Sequence, residues 1–319
     1  MVSVIIPAYN CEKTIGQCLK ALAQQSYPSD SYEVIVVDDG SADNTAAVVK
    51  DYPVRYFHQN NQGPAAARNT GARRASGKII LFTDADCVPD ADWISRMAKS
   101  FDPPEIMAVK GAYRTLQKPI VARFAQIEFE ERFEMLKKAE SIDMVDTYSA
   151  GFRRDVFIDM GGFDTSFPVA NNEDTELTYR MAAKNYKMVF NPNAIVYHLN
   201  HPDSIFRYAR LKFWRGYWRM VVYRRFPGKM FKDTYTPKTL KLQILFLYLA
   251  LAICLPAIFF NFLLFPLLLS VIVFAFLTLP FAAFAFRRDP AVALLSPLLL
   301  SVRAASLGAG MILAMLPKR

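Results

Sequence analysis

Residues 78–86 read KIILFTDAD, a short apolar run that ends directly in Thr83-Asp84-Ala85-Asp86. An apolar run of this length, bounded by turn residues, predicts a buried strand. The same arrangement occurs upstream, where Tyr32–Val37 is followed by Asp38-Asp39-Gly40-Ser41. Stretches with helical spacing separate these runs, so we predict an α/β fold with a doubly wound, mainly parallel sheet.

Acidic side chains therefore follow two predicted strands at their carboxyl ends, which is where open α/β sheets bind their ligands. Asp84 and Asp86 stand two positions apart on a turn and can present oxygens to a hard divalent cation. Mg²⁺ or Mn²⁺ commonly bridges such carboxylates to substrate phosphates. Either acidic motif alone is also ordinary turn chemistry. Their coincidence at two strand ends favours a shared ligand cleft.

Five motifs follow one another in a fixed order over about residues 1–200. They are VIIPAYN at 4–10, VVDDGSADNT at 36–45, NQGPAAARNTG at 61–71, FTDAD at 82–86, and GGFD at 161–164 with Glu173-Asp174. Together they resemble the family 2 inverting glycosyltransferases of the GT-A fold. The resemblance implies a GT-A catalytic domain, a nucleotide-diphosphate sugar as donor, and Mg²⁺ or Mn²⁺ as cofactor.

The resemblance also implies roles for the residues of the first two motifs. Pro7 and Tyr9 are expected to form part of the nucleotide-base pocket, and Asp39 to accept a hydrogen bond from the base. Asp38 is either a second nucleotide contact or the residue that holds the turn. Glu12 either belongs to the same pocket or stabilises the first turn of a helix through the helix dipole.

Four further residues are expected around the diphosphate and the metal. Arg68 resembles the family arginine near the nucleotide, where a cation would face the diphosphate. Asp86 is expected to bind the metal, and Asp84 to contact the ribose or the metal. His198 ends a predicted strand and is a further candidate metal ligand, although a lone histidine is more often a packed or capping residue.

Displacing a nucleoside diphosphate from a sugar builds negative charge on the leaving oxygen, which a bound divalent cation can stabilise. A carboxylate on the opposite face must take the proton of the acceptor. Asp174 is the expected base by its resemblance to the acidic pair of the family, with Glu173 as the alternative. Both residues would also favour a helix N-terminus.

The last third of the chain is basic and then apolar. Nine basic residues, with no acid among them, lie between Ser204 and Lys232 and equal the net charge of +9. Aromatic residues alternate with them, which suits anionic lipid headgroups better than nucleic acid. No Asp, Glu, Lys or Arg occurs from Leu242 to Phe286. A bilayer crossing needs about 20 apolar helical residues, so this run is long enough for two.

We expect three parts: a catalytic domain at 1–203 (nucleotide-sugar half 1–100, acceptor half 101–203), a basic amphipathic interfacial segment at 204–241, and a membrane region at 242–319. Spans are predicted at about 242–260 and 264–286. A third apolar segment, 291–316, has Arg303 at its centre, which favours an interfacial or re-entrant helix over a third span in contact with protein or lipid phosphate. The start of the chain has no signal-peptide pattern, so we expect a multi-pass protein of the cell membrane with a cytoplasmic catalytic domain.

The expected reaction transfers one sugar to a hydroxyl of a membrane-associated acceptor, either a polyprenyl-linked saccharide or a glycolipid. Processive synthases of the family carry a Gln-x-x-Arg-Trp signature, and residues 204–232 contain no Gln, which favours a single transfer. Two alternatives stay open. One is transfer to a polyprenyl phosphate, and the other is a non-catalytic, membrane-tethered binding protein with a degenerate transferase fold.

Overall fold

A computed structural model describes residues 1–317. The chain divides into two compact units. The first, which we call the sheet unit, comprises Met1–Leu116 and Met135–Asn200, and the second, the helical unit, comprises Gln117–Glu134 and the chain from His201 onward. The three predicted parts are each continuous in sequence. The helical unit, in contrast, also includes Gln117–Glu134, which lies within the predicted acceptor half at 101–203. The positions 318 and 319 of the predicted membrane region lie outside the described residues.

The sheet unit contains one mixed sheet of eight strands in the order β3-β2-β1-β4-β7-β6-β8-β5. The strands are β1 (Val2–Ala8), β2 (Tyr32–Asp38), β3 (Arg55–His58), β4 (Ile79–Phe82), β5 (Cys87–Pro89), β6 (Ile106–Arg114), β7 (Ala150–Arg153) and β8 (Lys187–His198). Strands β1 to β4 pair in parallel, as do β6 and β8, while β7 and β5 pair antiparallel to their neighbours. The predicted α/β fold with a mainly parallel sheet is confirmed.

The register of the parallel strands brings the acidic motifs to one edge of the sheet. Ala8 at the end of β1 lies opposite Asp38 at the end of β2. Ile5 lies opposite Phe82, the last residue of β4. Because parallel strands all end at the same edge, the turns that follow β1, β2 and β4 emerge together.

Six helices complete the sheet unit: α1 (Ile15–Ala23), α2 (Thr45–Lys50), α3 (Pro64–Arg74), α4 (Trp93–Lys99), α6 (Arg154–Asp159) and α7 (Glu173–Ala183). Helix α3 begins with Pro64 directly after Gly63, which has a positive φ of 88°. Proline suits the first helical position because its missing N–H would have no partner there. A Cβ on Gly71 would lie 2.4 Å from Cγ2 of Ile5, so α3 can lie directly on β1 only with glycine at this position.

The helical unit consists of α5 (Ile120–Leu136), α8 (Ile205–Arg225), α9 (Pro227–Phe231), α10 (Lys238–Cys254), α11 (Pro256–Phe259), α12 (Leu264–Phe286) and α13 (Pro290–Met315). Its buried core joins Phe124 of α5 to Tyr208 of α8, Phe281 of α12 and Leu300 of α13. Two apolar stretches, Asn261–Phe286 and Pro290–Met315, are long enough to cross a membrane by length and composition alone.

Helices α8 and α13 are in backbone contact. A Cβ on Gly216 of α8 would lie 2.2 Å from the carbonyl oxygen of Leu307, and a Cβ on Gly310 of α13 would lie 2.0 Å from that of Phe213. Only a residue without a side chain fits at either position. The basic helix α8 therefore runs directly against the last apolar helix.

A buried ionic network joins the helices around Glu128 of α5. Its carboxylate accepts hydrogen bonds from Arg303 at 2.9 Å and Tyr208 at 2.8 Å, and Lys212 lies 2.9 Å from it. Burial alone would raise the pKa of Glu128, but Lys212, Arg303 and the nearby Arg132 more than offset it and hold the pKa below its ordinary value. The mid-helix Arg303, unexpected in an apolar segment, is thus paired inside the protein and is 1% exposed.

Candidate active site

The turns after β1 and β2 are held together by side chains of both. Asn10, which has a positive φ of 48°, donates its backbone N–H to Ser41 Oγ at 2.9 Å. The N–H of Glu12 donates to Asp43 Oδ2 at 3.1 Å, and the Glu12 carboxylate accepts from the backbone N–H of Asn44 at 3.0 Å. Glu12 thus joins the two turns and also lines the cleft described below.

Asp38 and Asp39 are both buried, and each organises a turn. Asp38 accepts hydrogen bonds from the backbone N–H of Ser41 at 2.8 Å and from the hydroxyl of Tyr56 at 2.7 Å. Burial and this bond to Asp38 raise the pKa of Tyr56 well above its ordinary value. The structure therefore gives Asp38 the turn-holding contacts that were one of its two predicted roles.

The carboxylate of Asp39 holds the loop that leads into α3. Its Oδ1 accepts from Gln59 Nε2 at 2.7 Å and from the backbone N–H of Gln62 at 3.0 Å, and its Oδ2 accepts from the backbone N–H of Gly63 at 2.8 Å. Both oxygens are thus engaged within the protein. The contact of Asp39 with a nucleotide base stays a prediction.

Arg68 of α3 joins two of the sequence motifs. Its Nη2 donates to Asp84 Oδ1 at 2.7 Å and its Nη1 donates to Glu173 Oε1 at 2.8 Å. The guanidinium is 2% exposed and also lies 5.9 Å from the centre of the Phe163 ring. It was expected to face the diphosphate, and in the structure its described partners are these two carboxylates.

Asp86 and His198 form the best candidate metal site among the described residues. His198 Nε2 lies 3.9 Å from Asp86 Oδ1, and ligand atoms of Asp86, Cys87 and His198 all lie within 4.8 Å of one another. A carboxylate suits Mn²⁺ or Mg²⁺, and an imidazole is accepted more readily by a transition metal such as Mn²⁺ than by Mg²⁺. The buried Cys87 thiol suits neither ion, because burial raises its pKa and keeps it protonated. Asp84 lies outside this group and its Oδ1 accepts from Arg68; its contact with the ribose or the metal stays a prediction.

A cleft of about 540 Å³ opens beside Asp86 in the sheet unit. It is lined by Pro7, Tyr9, Asn10, Cys11, Glu12, Lys13, Thr14, Asp43, Ala85, Asp86 and Asn200. The predicted residues Pro7, Tyr9, Glu12 and Asp86 therefore share one cleft. Lys13, which is exposed and lines the cleft, was not among the predicted site residues. A cation three positions after the first motif is a signal for an anionic ligand.

Asn200 is a second residue that the sequence did not indicate. Its side-chain Nδ2 donates to Asp86 Oδ2 at 3.3 Å, and its backbone N–H donates to His198 Nδ1 at 3.2 Å. It therefore orients both candidate metal ligands. Only the antiparallel pairing of β5 with β8, which sets Cys87 opposite His198, brings this residue to the acidic turn.

The acidic pair begins helix α7, after Asn172 in the left-handed conformation (φ 68°). Glu173 is buried, and its carboxylate accepts from Arg68 and from the backbone N–H of Asn171 at 2.6 Å. Burial and the adjacent Asp174 raise the pKa of Glu173 to about 7, against the opposing effect of Arg68. Asp174 is half-buried, and its Oδ1 accepts from the backbone N–H of Thr175 at 2.7 Å.

Comparison with known proteins identifies the family. A model of the domain described as glycosyl transferase family 2 matches residues 3–161. Glycosyltransferase AglE of Haloferax volcanii is 31% identical over 210 residues, which cover 63% of this chain and 67% of that protein. The poly-beta-1,6-N-acetyl-D-glucosamine synthase of Staphylococcus epidermidis is 27% identical over 215 residues, 64% of this chain and 51% of that protein. The chain belongs to glycosyl transferase family 2, and this membership supports a nucleotide-sugar glycosyltransferase.

Solved structures share the fold. The mannosyltransferase PcManGT from Pyrobaculum calidifontis, solved in complex with GDP-Man and Mn²⁺, has a TM-score of 0.62 at 22% identity and covers 98% of this chain and 86% of its own. TarS 1-349 of S. aureus, in complex with UDP-GlcNAc, has a TM-score of 0.51 at 20% identity, covering 98% and 90%. The predicted GT-A fold is thereby confirmed. This chain spans about two thirds of AglE but only about half of the synthase.

Proposed function

We propose that this protein is a metal-dependent, inverting glycosyltransferase that moves one sugar from a nucleotide-diphosphate sugar to a hydroxyl of a membrane-associated acceptor. One observation carries the proposal. Buried Arg68 bonds both Asp84 of the donor motif and Glu173 of the acidic pair, which joins the two motifs in one site. The buried bonds of Arg68 to Asp84 and Glu173, beside the accessible carboxylate of Asp174, favour a catalytic site over a degenerate, non-catalytic fold.

The general base in this proposal is Asp174 rather than Glu173. Glu173 is buried and engaged by Arg68 and the backbone of Asn171, so an acceptor hydroxyl cannot reach it. Asp174 is half-buried, and its Oδ2 has no hydrogen-bond partner within residues 1–317. A free carboxylate oxygen is what a base needs to receive the proton of an acceptor hydroxyl. Glu173 then acts as a positioning residue through Arg68.

The donor would lie in the cleft beside Asp86. Tyr9 and Pro7 offer a surface for the base, and Lys13 offers a cation for the diphosphate. Asp86 and His198 would hold Mg²⁺ or Mn²⁺, which stabilises negative charge on a leaving diphosphate. The neighbours solved with GDP-Man and Mn²⁺ and with UDP-GlcNAc support this type of donor and a divalent metal.

The acceptor is proposed from the helical unit. Long apolar helices hold the chain in the cell membrane, and exposed basic residues of α8 such as Arg210 face anionic lipid. A polyprenyl-linked saccharide or a glycolipid of that membrane would be the acceptor. The helices allow two arrangements: the multi-pass one expected from the sequence, and a hairpin that turns inside the bilayer. Transfer to a polyprenyl phosphate is the alternative reaction, and it would need no base at Asp174.

The test is a screen of nucleotide sugars with the full-length protein in lipid vesicles containing Mn²⁺ or Mg²⁺. Release of nucleoside diphosphate is measured together with transfer to lipid extracts. Activity should require the metal, should be lost in Asp86→Asn, and should persist in the exposed control Asp102→Asn. The anomeric configuration of the product, read by NMR, should be opposite to that of the donor. Retention of configuration, or no turnover with any donor, would refute the proposal.

A further inference from the structure

Residues 255–265, which we call the hairpin tip, connect α10 and α12 and read LPAIFFNFLLF. Their large side chains point away from the protein: Leu255 is 71% exposed, Phe259 80% and Phe262 74%. Asn261 is the only polar residue of the tip. A loop that emerges into water carries polar residues, and a chain at the lipid–water interface is enriched in Trp and Tyr. The composition of the tip is therefore not typical of a loop in water or of a segment at the interface, and it suits the hydrocarbon core of the bilayer.

The opposite end of the hairpin is fixed to a polar network, which we call the clasp. Gln243 of α10 donates to the carbonyl of Leu277 in α12 at 2.8 Å. The Oε1 of Gln243 accepts from Nη2 of Arg303 at 2.7 Å, and Arg303 is paired with Glu128. The two arms of the hairpin are therefore joined at the level of a buried arginine and a buried carboxylate.

The hairpin beyond the clasp is too short for a full crossing. On α10 and the short α11 that continues it, the hairpin comprises residues 244–259, and on α12 residues 264–276. At about 1.5 Å per residue these arms are about 24 and 20 Å long. The hydrocarbon core is about 30 Å thick. A tip that emerged on the far side would pull the clasp, and with it the adjoining turn of α8 with its exposed Arg210, about 6–10 Å into hydrocarbon, where charged groups are costly.

The helices beside the clasp place it at the membrane surface. Helix α8 lies in backbone contact with α13 at Gly216 and Gly310, and it exposes Arg210, Arg224 and Arg225 to solvent. Charged side chains of this kind belong among headgroups. Helix α13 therefore lies along the interface with α8, although its length and composition alone would permit a span.

We infer that α10 and α12 form a re-entrant hairpin that enters one leaflet of the bilayer and turns among its acyl chains, with the clasp at the headgroup level. This inference depends on the membrane attachment of the proposed function but not on the reaction. The partner of the exposed apolar surface is the hydrocarbon of a single leaflet, and both flanking ends of the hairpin lie on the same side of the membrane.

The test uses the full-length protein in sealed vesicles of phosphatidylcholine and phosphatidylglycerol. A cysteine is placed at the tip by Asn261→Cys, or by Phe262→Cys as a second variant, in a Cys254→Ser background. The matched control Gly228→Cys lies on exposed α9, where an added side chain meets no neighbour within 4 Å. A spin label at the tip should be accessible to oxygen and inaccessible to a water-soluble nickel complex. The label at Gly228→Cys should show the reverse, and the Cys254→Ser parent gives the background.

Labelling with a membrane-impermeant maleimide separates the two arrangements. The tip cysteine should remain unlabelled from both faces, and the cysteine of Gly228→Cys should be labelled from one face. Labelling of the tip from the opposite face would overturn the inference in favour of a span. In addition, Asn261→Lys should lower the vesicle partition constant by about 100-fold, the cost of a lysine at hydrocarbon depth, whereas Gly228→Lys should not. Failure of the unmodified protein to float with vesicles would overturn the inference and membrane attachment together, whereas lack of sugar transfer would affect only the proposed reaction.

Discussion

Arg68 and Glu173 are 105 positions apart in sequence and form a salt bridge of 2.8 Å in which both side chains are 2% exposed. The second nitrogen of the same guanidinium bonds Asp84. A planar fork with fixed donor directions can serve two carboxylates at once, which an ammonium group cannot do with the same geometry. The position of the acidic pair relative to the donor motif is therefore set by one side chain.

Arg68→Lys should reduce sugar transfer by about 10²-fold, because a small displacement of reacting groups has an effect of that size. Donor affinity should fall much less, since the variant retains the charge and the cleft is lined by other residues. Transfer rate and donor binding by calorimetry are measured on the same preparation. The control is Arg73→Lys on the exposed side of the same helix, which should behave as the unmodified protein. Equal losses of binding and transfer in Arg68→Lys would instead place the guanidinium on the donor.

Asp174→Asn should keep donor affinity and reduce transfer by about 10²–10⁴-fold, the usual contribution of a positioned base. The amide is nearly isosteric with the carboxylate but cannot take the proton of the acceptor. Asp86→Asn should show the opposite pattern, with metal-dependent donor binding lost first. Full transfer by Asp174→Asn would favour a phosphate acceptor, which needs no base.

Glu173 should make stability depend on pH in a defined window. Its pKa rises from 4.5 to about 7 on folding, so the folded protein holds this proton more tightly than the unfolded chain. The stabilisation is complete below about pH 4.5 and is lost as the pH rises through about 7. Between pH 5 and 8 the Tm of the unmodified protein should therefore fall relative to that of Glu173→Gln, which lacks this titration. Parallel Tm curves for the two proteins would contradict the assignment.

Glu128→Gln should destabilise the helical unit by about 3–5 kcal/mol, because it leaves Lys212 and Arg303 buried without a counter-charge. The matched control is Glu130→Gln, two positions along the same helix, where the bridge to Arg288 is partly exposed. That change should cost at most about 1 kcal/mol. Denaturant unfolding in detergent, followed by the tryptophans of α8, measures both. Equal effects of the two substitutions would show that the network around Glu128 does not stabilise the packing.

Gly310→Val should separate α8 from α13, since the added side chain would meet the carbonyl of Phe213 at 2.0 Å. We expect loss of the folded helical unit or a fall in Tm of many degrees, as backbone atoms cannot move aside as a side chain can. The exposed glycine in Gly228→Ala provides the control and should leave Tm unchanged. An unaltered Tm in Gly310→Val would mean that the two helices are not in contact.

Local patterns in the sequence predicted much of the fold and part of the site. Apolar runs that end in acidic turns identify strands and their carboxyl ends without knowledge of the rest of the chain, and they led to Asp86 and to Pro7 in one cleft. Contacts that depend on strand pairing could not be read in the same way. Asn200 reaches Asp86 only because β8 pairs with β5, and Asp39 is engaged by a loop that no local pattern positions.

The charge at position 303 illustrates the same limit. In the sequence it interrupts an apolar segment and indicates an interfacial or re-entrant helix. In the structure Arg303 lies in an unbroken helix, and its cost is offset by Glu128, which is 175 positions away. A hydropathy profile detects a charged residue within an apolar segment, but it cannot identify the distant carboxylate that pairs with it.

Helix α5 has a practical consequence for anyone who wishes to produce the catalytic part alone. It is encoded in the middle of the catalytic sequence, yet Phe124 and Val121 pack against Phe281 and Val292 near the other end of the chain. A fragment that stops at residue 203 would keep α5 and lose the residues of α8, α12 and α13 that pack against it. Its aromatic side chains would be left in water, and Glu128 would lose Lys212 and Arg303. We therefore expect removal of the carboxyl-terminal helices to give a catalytic fragment that aggregates.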